Sequence, residues 1–271
     1  MNLLEIKKNI EYIIYKMKIS ILSSITYLPD FVIDIISEIM NGVYYLIFIE
    51  ALFLNFDDFF GYTKYEMMFI WAIAYINARL IDSLLNNLES IPYEIVEGTL
   101  DKILMKPINP LLYITFRDFS ITNIISLIIP IGVLINIWPF LSLNITIESI
   151  GLLIFSQILM TLFLLSSMLF VFSLTFWIGN TRVFYWIYLS ITEVSHLPIQ
   201  SFTRIVTRIF VNLYPIVLLG SIPAGILMNR IEINTIYGLT ITTIIWVLIS
   251  YITWNLGLKS YTSANSTGGI N

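Results

Sequence analysis

"EGTLDKILMKPINPLLYITFRDF", residues 97–119, is the stretch that decides how this chain is read. It holds acids, bases, a glycine and two prolines, yet it lies between long runs of Ile, Leu and Phe. Gly98 and Thr99 open a short run, "TLDKILMK", in which Leu100, Ile103 and Leu104 share one helical face. Asp101 near the start of that run and Lys106 at its end suit the helix dipole. Pro107 stops the helix because it has no N–H to give, and Pro110 pre-sets the turn into "LLYITFRDF". A short amphipathic helix held between prolines either packs on its own bundle or presses its apolar face against a partner. Periodicity leaves both readings open.

The surroundings of this stretch are made for lipid. Of 271 residues, 58% are hydrophobic and 12% charged, with a mean hydropathy of +0.86; soluble chains carry about a quarter of charged residues. The formal net charge is -4, and no Lys/Arg cluster offers a footprint for nucleic acid. With no cysteine, neither a disulfide framework nor a thiolate metal site is available. The first apolar block after Lys7, Lys8, Lys16 and Lys18 is interrupted by Asp30 and Asp34 and lacks a small-residue cleavage site, so a secretory signal is not expected.

A membrane-crossing helix needs on the order of 20 apolar residues. That yardstick predicts spans at roughly 33–55, 66–88, 119–138, 150–178, 183–199 and 236–257. The fourth is longer than a bilayer requires and should tilt or project; the fifth is short. Residues 1–22 place Ile10, Ile13, Ile14, Met17 and Ile21 on one face and Lys8, Glu11, Tyr15 and Lys18 on another, the pattern of a helix lying in the membrane interface. Pro198, Pro215 and Pro223 cut the 200–230 region into pieces too short to cross, which predicts a re-entrant segment. The whole chain, 1–271, reads as one all-α integral membrane domain of about six transmembrane helices, closed by a short polar tail at 259–271. The aromatic clusters "YLP", "FDDFFGY", "WPF" and "FYWIY" mark span ends. Lys and Arg gather in the N-terminal segment, at Lys102, Lys106 and Arg117, and at Arg182 and Lys259, which places both termini in the cytoplasm; Arg204, Arg208 and Arg230 fall awkwardly on the other side.

The chemistry of the chain is as informative in what it lacks. No stretch fits G-x-x-x-x-G-K-[ST], so no loop here is built to cradle a triphosphate. The sole histidine, His196, cannot form an H-E-x-x-H metal site, and no catalytic residues are expected. Asp30, Asp34 and Glu38 recur every four residues and read as a solvated stem of the first span. Glu50 lies deeper and has two placements open to it: paired with Arg79, beside Asp82, as a structural ion pair or the centre of an ion-coupled carrier, or set at the outer headgroup level. Such carriers often show an inverted hydropathy repeat, and none is found. A non-transporting scaffold would leave the punctuated loop without a purpose. Glu193 and His196 stand one turn apart near the end of the fifth block.

The stretch "VEGTLDKILMKPINPLLY" closely resembles the cytosolic loop that follows the second span in the permease subunits of ABC type-2 exporters, where an E/G-x-L-D helix leads into a Lys-Pro-(Ile/Val)-Asn-Pro turn. "FFGYTKYEMM", "YPIVLLGSIPAGIL" and the ending "GLKSYTSANSTG" extend the likeness over nearly the full length. The resemblance implies a cell-membrane subunit that pairs with a second permease, as a homo- or heterodimer, and with two separate ATP-binding subunits. ATP and Mg would be bound by those partners, with no cofactor in this chain. It assigns the 89–118 loop to coupling, through Glu97, Gly98, Leu100, Asp101, Leu104, Lys106, Pro107, Asn109 and Pro110. In that assignment Gly98 allows the bend, Leu100 and Leu104 fill a groove on the ATPase, and Asp101 with Lys106 fixes orientation.

Overall fold

The computed structural model describes residues 3–26, 28–143, 145–203, 205–208 and 213–262. Arg204 and the tail beyond 262 lie outside the described residues, as do 209–212 within the 200–230 region. Pro29 and Asp30 suit the start of the second helix. α1 (Leu3–Thr26) is followed by α2 (Leu28–Phe53), whose first turn holds both residues, where a missing N–H is harmless and a negative charge favourable. α3 (Lys64–Leu85) begins with a reciprocal cap: the Thr63 backbone N–H donates to Glu66 (2.8 Å), and the Glu66 N–H donates to the Thr63 hydroxyl (3.3 Å). Met67 through Tyr75 are all buried, so α3 is the central helix of the molecule.

Three short helices follow, α4 (Ile91–Val96), α5 (Leu100–Leu104) and α6 (Pro110–Thr115). The chain then rises through α7 (Ile121–Ile125) and α8 (Ile128–Ile137), and descends through α9 (Ile147–Ser173) and α10 (Thr175–Ile178). Gly179, with a positive φ of 83°, ends that descent. α11 (Val183–Glu193), α12 (Ser221–Leu227) and α13 (Ile233–Ser260) complete the described helices. α13 lies along α9 and α10 so closely that a Cβ on Gly257 would stand 2.0 Å from the Phe176 ring, which only glycine avoids. Among the described residues no strand occurs, only an isolated bridge between Phe59 and Tyr62.

Among the described residues, four helical stretches are long and apolar enough to cross a membrane: Leu28–Phe53, Ile121–Phe140, Ile147–Ile178 and Asn234–Ser260. Lys64–Ser83 and Asn87–Val96 meet the same test only when taken together, and they are bent by 49° at their junction, the shape of a broken span or of a re-entrant pair. Four of the six predicted blocks coincide with a helix of that length and hydropathy, and the block at 66–88 falls on the bent pair. The block at 183–199 does neither: α11 has 11 residues and covers about 17 Å, roughly half of a bilayer core. Its helix is followed by a 3-10 turn at Val194–His196, and Pro198 stands in extended conformation.

Contacts nevertheless show where this broken piece goes. One end of the bundle gathers α4 to α6, α10 packed on α4, and Tyr261 with its ring 5.9 Å from Phe176. The opposite end gathers the turn at 54–63, Phe140 stacked on Tyr65 at 4.4 Å, and Arg230, which donates to the Gly61 carbonyl (2.8 Å). The chain leaves the first end at Gly179 and reaches the second by Gln200, which accepts from the Tyr62 hydroxyl (2.8 Å). It then turns back into the bundle: Trp246 Nε1 donates to the Leu213 carbonyl and Asn77 to the Leu219 carbonyl, both at 2.8 Å. α12, buried over its full length, returns it to Arg230.

Candidate functional site

The punctuated loop is anchored before it is displayed. Arg117 forms an ion pair with Glu94, donates to Ser90 Oγ (3.1 Å) and reaches Asp118 (3.3 Å), while Ser90 Oγ also donates to Glu94 (3.1 Å). Asn87 closes the root of the loop by donating to the carbonyls of Thr115 (3.2 Å) and Asp118 (2.6 Å). Glu94 is buried at 5% exposure, with Arg117 as its counter-ion. Burial by itself would lower the Arg117 pKa, but the hydrogen bond and charge of Glu94 outweigh it and raise the value, keeping the guanidinium charged. None of Glu94, Ser90 and Asn87 was marked by sequence reasoning; Glu94, four residues after Ser90 on a helix with Pro92, carried the only readable signal, an acid amid Ile and Val.

Beyond the root, Gly98 takes a positive φ of 69°, and this bend lets α5 turn against α4. Asn109 caps α6 by accepting from the backbone N–H groups of Leu111 (2.9 Å) and Leu112 (3.3 Å), and Pro110 occupies the first helical position. The Lys-Pro-Ile-Asn-Pro turn is thus a stop followed by a cap. α5 itself faces both ways. Leu100 and Ile103 are buried in the cluster formed with Ile95, Ile114 and the residues of α9, whereas Leu104, Met105, Val96 and Tyr93 are exposed. The expectation that Leu100 would fill a groove on a partner is corrected: at 0% exposure it belongs to this chain's own core. A five-residue helix has room for one inward face, and the pair three residues apart claimed it.

Asp101 and Lys106 also turn toward their own chain. Lys106 Nζ sits 3.6 Å from the centroid of Tyr113, and Tyr113 stacks on Tyr12 of α1 at 5.3 Å. Asp101 lies beside Tyr261, whose phenol is pushed up from its ordinary value first by burial and then by the Asp101 charge. These contacts tie the loop to the N-terminal helix on one side and to the end of α13 on the other. The surface left for a partner is Tyr93, Val96, Glu97, Lys102, Leu104, Met105, Pro107 and Asn109.

The three intramembrane candidates do not form one centre. Glu50 pairs with Lys64 (3.1 Å) and not with Arg79. Arg79 is held by Glu38 (2.7 Å) and Asp82 (3.2 Å), and Tyr75 donates to Glu38 (2.8 Å). Asp30 and Asp34 are exposed as a stem should be, but Glu38, one turn further, faces α3. The spacing that stacks the three acids is correct; the neighbouring helix that claims only the last was not visible in it. Arg230, awkward in the count of loop charges, is engaged by Glu66 (2.8 Å) and lies over Tyr62 at 4.3 Å.

Among the described residues no group of His, Cys, Asp and Glu could hold a metal ion. Neither a curated protein nor a solved structure matches the chain. The family model described as "ABC-2 family transporter protein" matches residues 39–265, a range that runs from α2 through the end of α13 and includes the anchored loop. The chain therefore belongs to the ABC-2 transporter family, as a multi-pass permease-type membrane component of an ABC transporter.

Proposed function

We propose that this chain is the permease of an ATP-driven exporter, working as a dimer with two ATP-binding subunits that carry ATP and Mg. The observation behind the reading is the two-sided α5. Its inner face is stitched into the bundle by Leu100 and Ile103, and its outer face presents Leu104 and Met105 to solvent beside Val96 and Tyr93. A rigidly rooted apolar rim transmits a push, because the Arg117–Glu94 clasp resists sliding of the loop relative to α4. Met105 and Leu104 would seat in a groove of the ATP-binding subunit, with Glu97 and Lys102 at the border.

The rim faces the cytoplasm in this reading, because Lys102, Lys106, Arg117, Arg182 and Lys259 lie at its end of the bundle. Residues 183–200 then act as a broken crossing and 200–230 as a re-entrant segment, so both termini share the cytoplasmic side of the cell membrane. α1 lies in the interface; its exposed Ile10 and Ile14 face away from the bundle, where acyl chains would cover them. The test is association: Leu104→Asp with Met105→Asp should insert and fold normally yet lose its ATP-binding subunit in mild detergent. Retention of that subunit by the double variant would refute the assignment.

A further inference from the structure

A cavity of about 230 Å³ opens between α2 and the broken crossing, lined by Tyr44, Tyr45, Phe48, Trp71, Glu193 and His196 among others. It takes no part in the loop described above. Tyr44 meets Tyr45 edge-on at 5.5 Å, and Tyr45 meets His196 at 4.6 Å, so three rings turn a corner around the space. Trp71, fully buried, forms the floor side on α3. Two nitrogens of the lining residues, Trp71 Nε1 and His196 Nδ1, are buried without a hydrogen-bond partner. Native interiors seldom leave such groups unpaired, and their presence in a cavity wall points to an occupant with a polar atom.

The charge of the wall selects the kind of occupant. Glu193 is the acid lining the cavity, and no Lys or Arg lines it. Arg79 is close enough to act on His196, but its guanidinium is already held by Glu38 and Asp82. One carboxylate and several π-faces around a half-open cavity attract a cation that sheds its hydration shell readily, which is the behaviour of an alkylated ammonium rather than of a metal ion. The size is below that of typical drug-sized pockets, roughly 300–1,000 Å³, so the fit is to a small cation.

We infer that the Tyr44, Tyr45, Phe48, Trp71, Glu193 and His196 cavity is a binding site for a small organic ammonium ion. The cation rests against the rings of Tyr44, Tyr45 and Phe48 and is countered by Glu193, while Trp71 Nε1 donates to a hydroxyl or carbonyl of the same molecule. The site lies about two and a half turns from the end of α2 at Phe53. At that depth two sources can supply the ammonium group, a free solute and a lipid headgroup. Binding here stands apart from the coupling reading, since it requires no ATP-binding subunit.

The purified chain in phosphatidylglycerol nanodiscs, which carry no ammonium headgroup, would be titrated with choline and with its uncharged isostere 3,3-dimethylbutan-1-ol, read by calorimetry. Choline should bind at least tenfold more tightly than the isostere. Glu193→Gln should lose roughly tenfold in choline affinity and Tyr44→Leu several-fold, with both variants melting like the parent; both side chains are exposed enough to be replaced without opening the core. Repeating the titration in phosphatidylcholine nanodiscs identifies the source: weakened choline binding assigns the site to a headgroup, unchanged binding to a free solute, and either agrees with the inference. Equal affinity for the isostere, no choline binding in phosphatidylglycerol, or full affinity in both variants would overturn it.

Discussion

Residues 97–110 and 213–228 carry the same punctuation, prolines and glycines inside an apolar chain, and the fold treats them in opposite ways. In the second, Ser221 through Leu227 are buried entirely, and Gly220 lies so near α3 that a Cβ would stand 2.5 Å from the Ile70 carbonyl. In the first, only Leu100 and Ile103 are buried, and Glu97, Lys102, Leu104 and Met105 remain outside. Charge separates the two: 97–110 contains two acids and two lysines, and 213–228 has no charged residue. Prolines state where a helix must stop. The charges between them state whether the fragment can be swallowed, because burying an unpaired ion costs far more than burying a broken helix whose carbonyls find donors such as Asn77 and Trp246.

The comparison can be broken most severely from within. Ile222→Asp puts a carboxylate at a position with 0% exposure, and Leu100→Asp does the same inside the nominally exposed loop. Both should fail to give monodisperse protein on size exclusion in detergent, and a well-folded Leu100→Asp would show that the loop is not rooted in the core. The milder Ile222→Ala should cost about 2–5 kcal/mol, read as a lowered melting temperature.

Next in size is the clasp. Arg117→Met leaves Glu94 buried without its counter-ion and should cost roughly 3–5 kcal/mol, while the joint change Arg117→Met with Glu94→Leu should recover most of that loss. A thermal double-mutant cycle checks it; additive losses would mean that the pair is not coupled. At the opposite end, Lys64→Ala removes a pair in which Glu50 is 53% exposed, and its effect should stay within about 1 kcal/mol. Smallest in stability are Leu104→Asp and Met105→Asp, at about 0.5 kcal/mol or less, since neither side chain is buried.

Much of this architecture is legible in the sequence. Hydropathy located α2, α3, the α7–α8 pair, α9 and α13, and prolines bounded α5 and α6, because span length and the missing proline donor are local facts. What could not be read was partnership. Leu100, Ile103 and Leu104 are equivalent on a helical wheel, and only the arrival of α9 and α6 decides that the first two go inward. Glu38, Glu50 and Asp82 were all available to Arg79, and the register of α2 against α3 chose the first and last. The block at 183–199 has the composition of a span, but its interruption comes from a 3-10 turn ending at His196 and from Pro198, features that shorten a helix without changing its hydropathy. The cavity beside Glu193 and His196 likewise exists only once α2 lays Tyr44, Tyr45 and Phe48 across them.

The central claim is that the outer rim of α5 receives work from an ATP-binding subunit. Its most direct test is co-purification of that subunit with the wild-type chain and with Leu104→Asp, Met105→Asp in mild detergent, at matched amounts of folded permease. The account predicts a stoichiometric complex for the wild type and at least a tenfold loss for the double variant, with unchanged melting. An undiminished complex would contradict it.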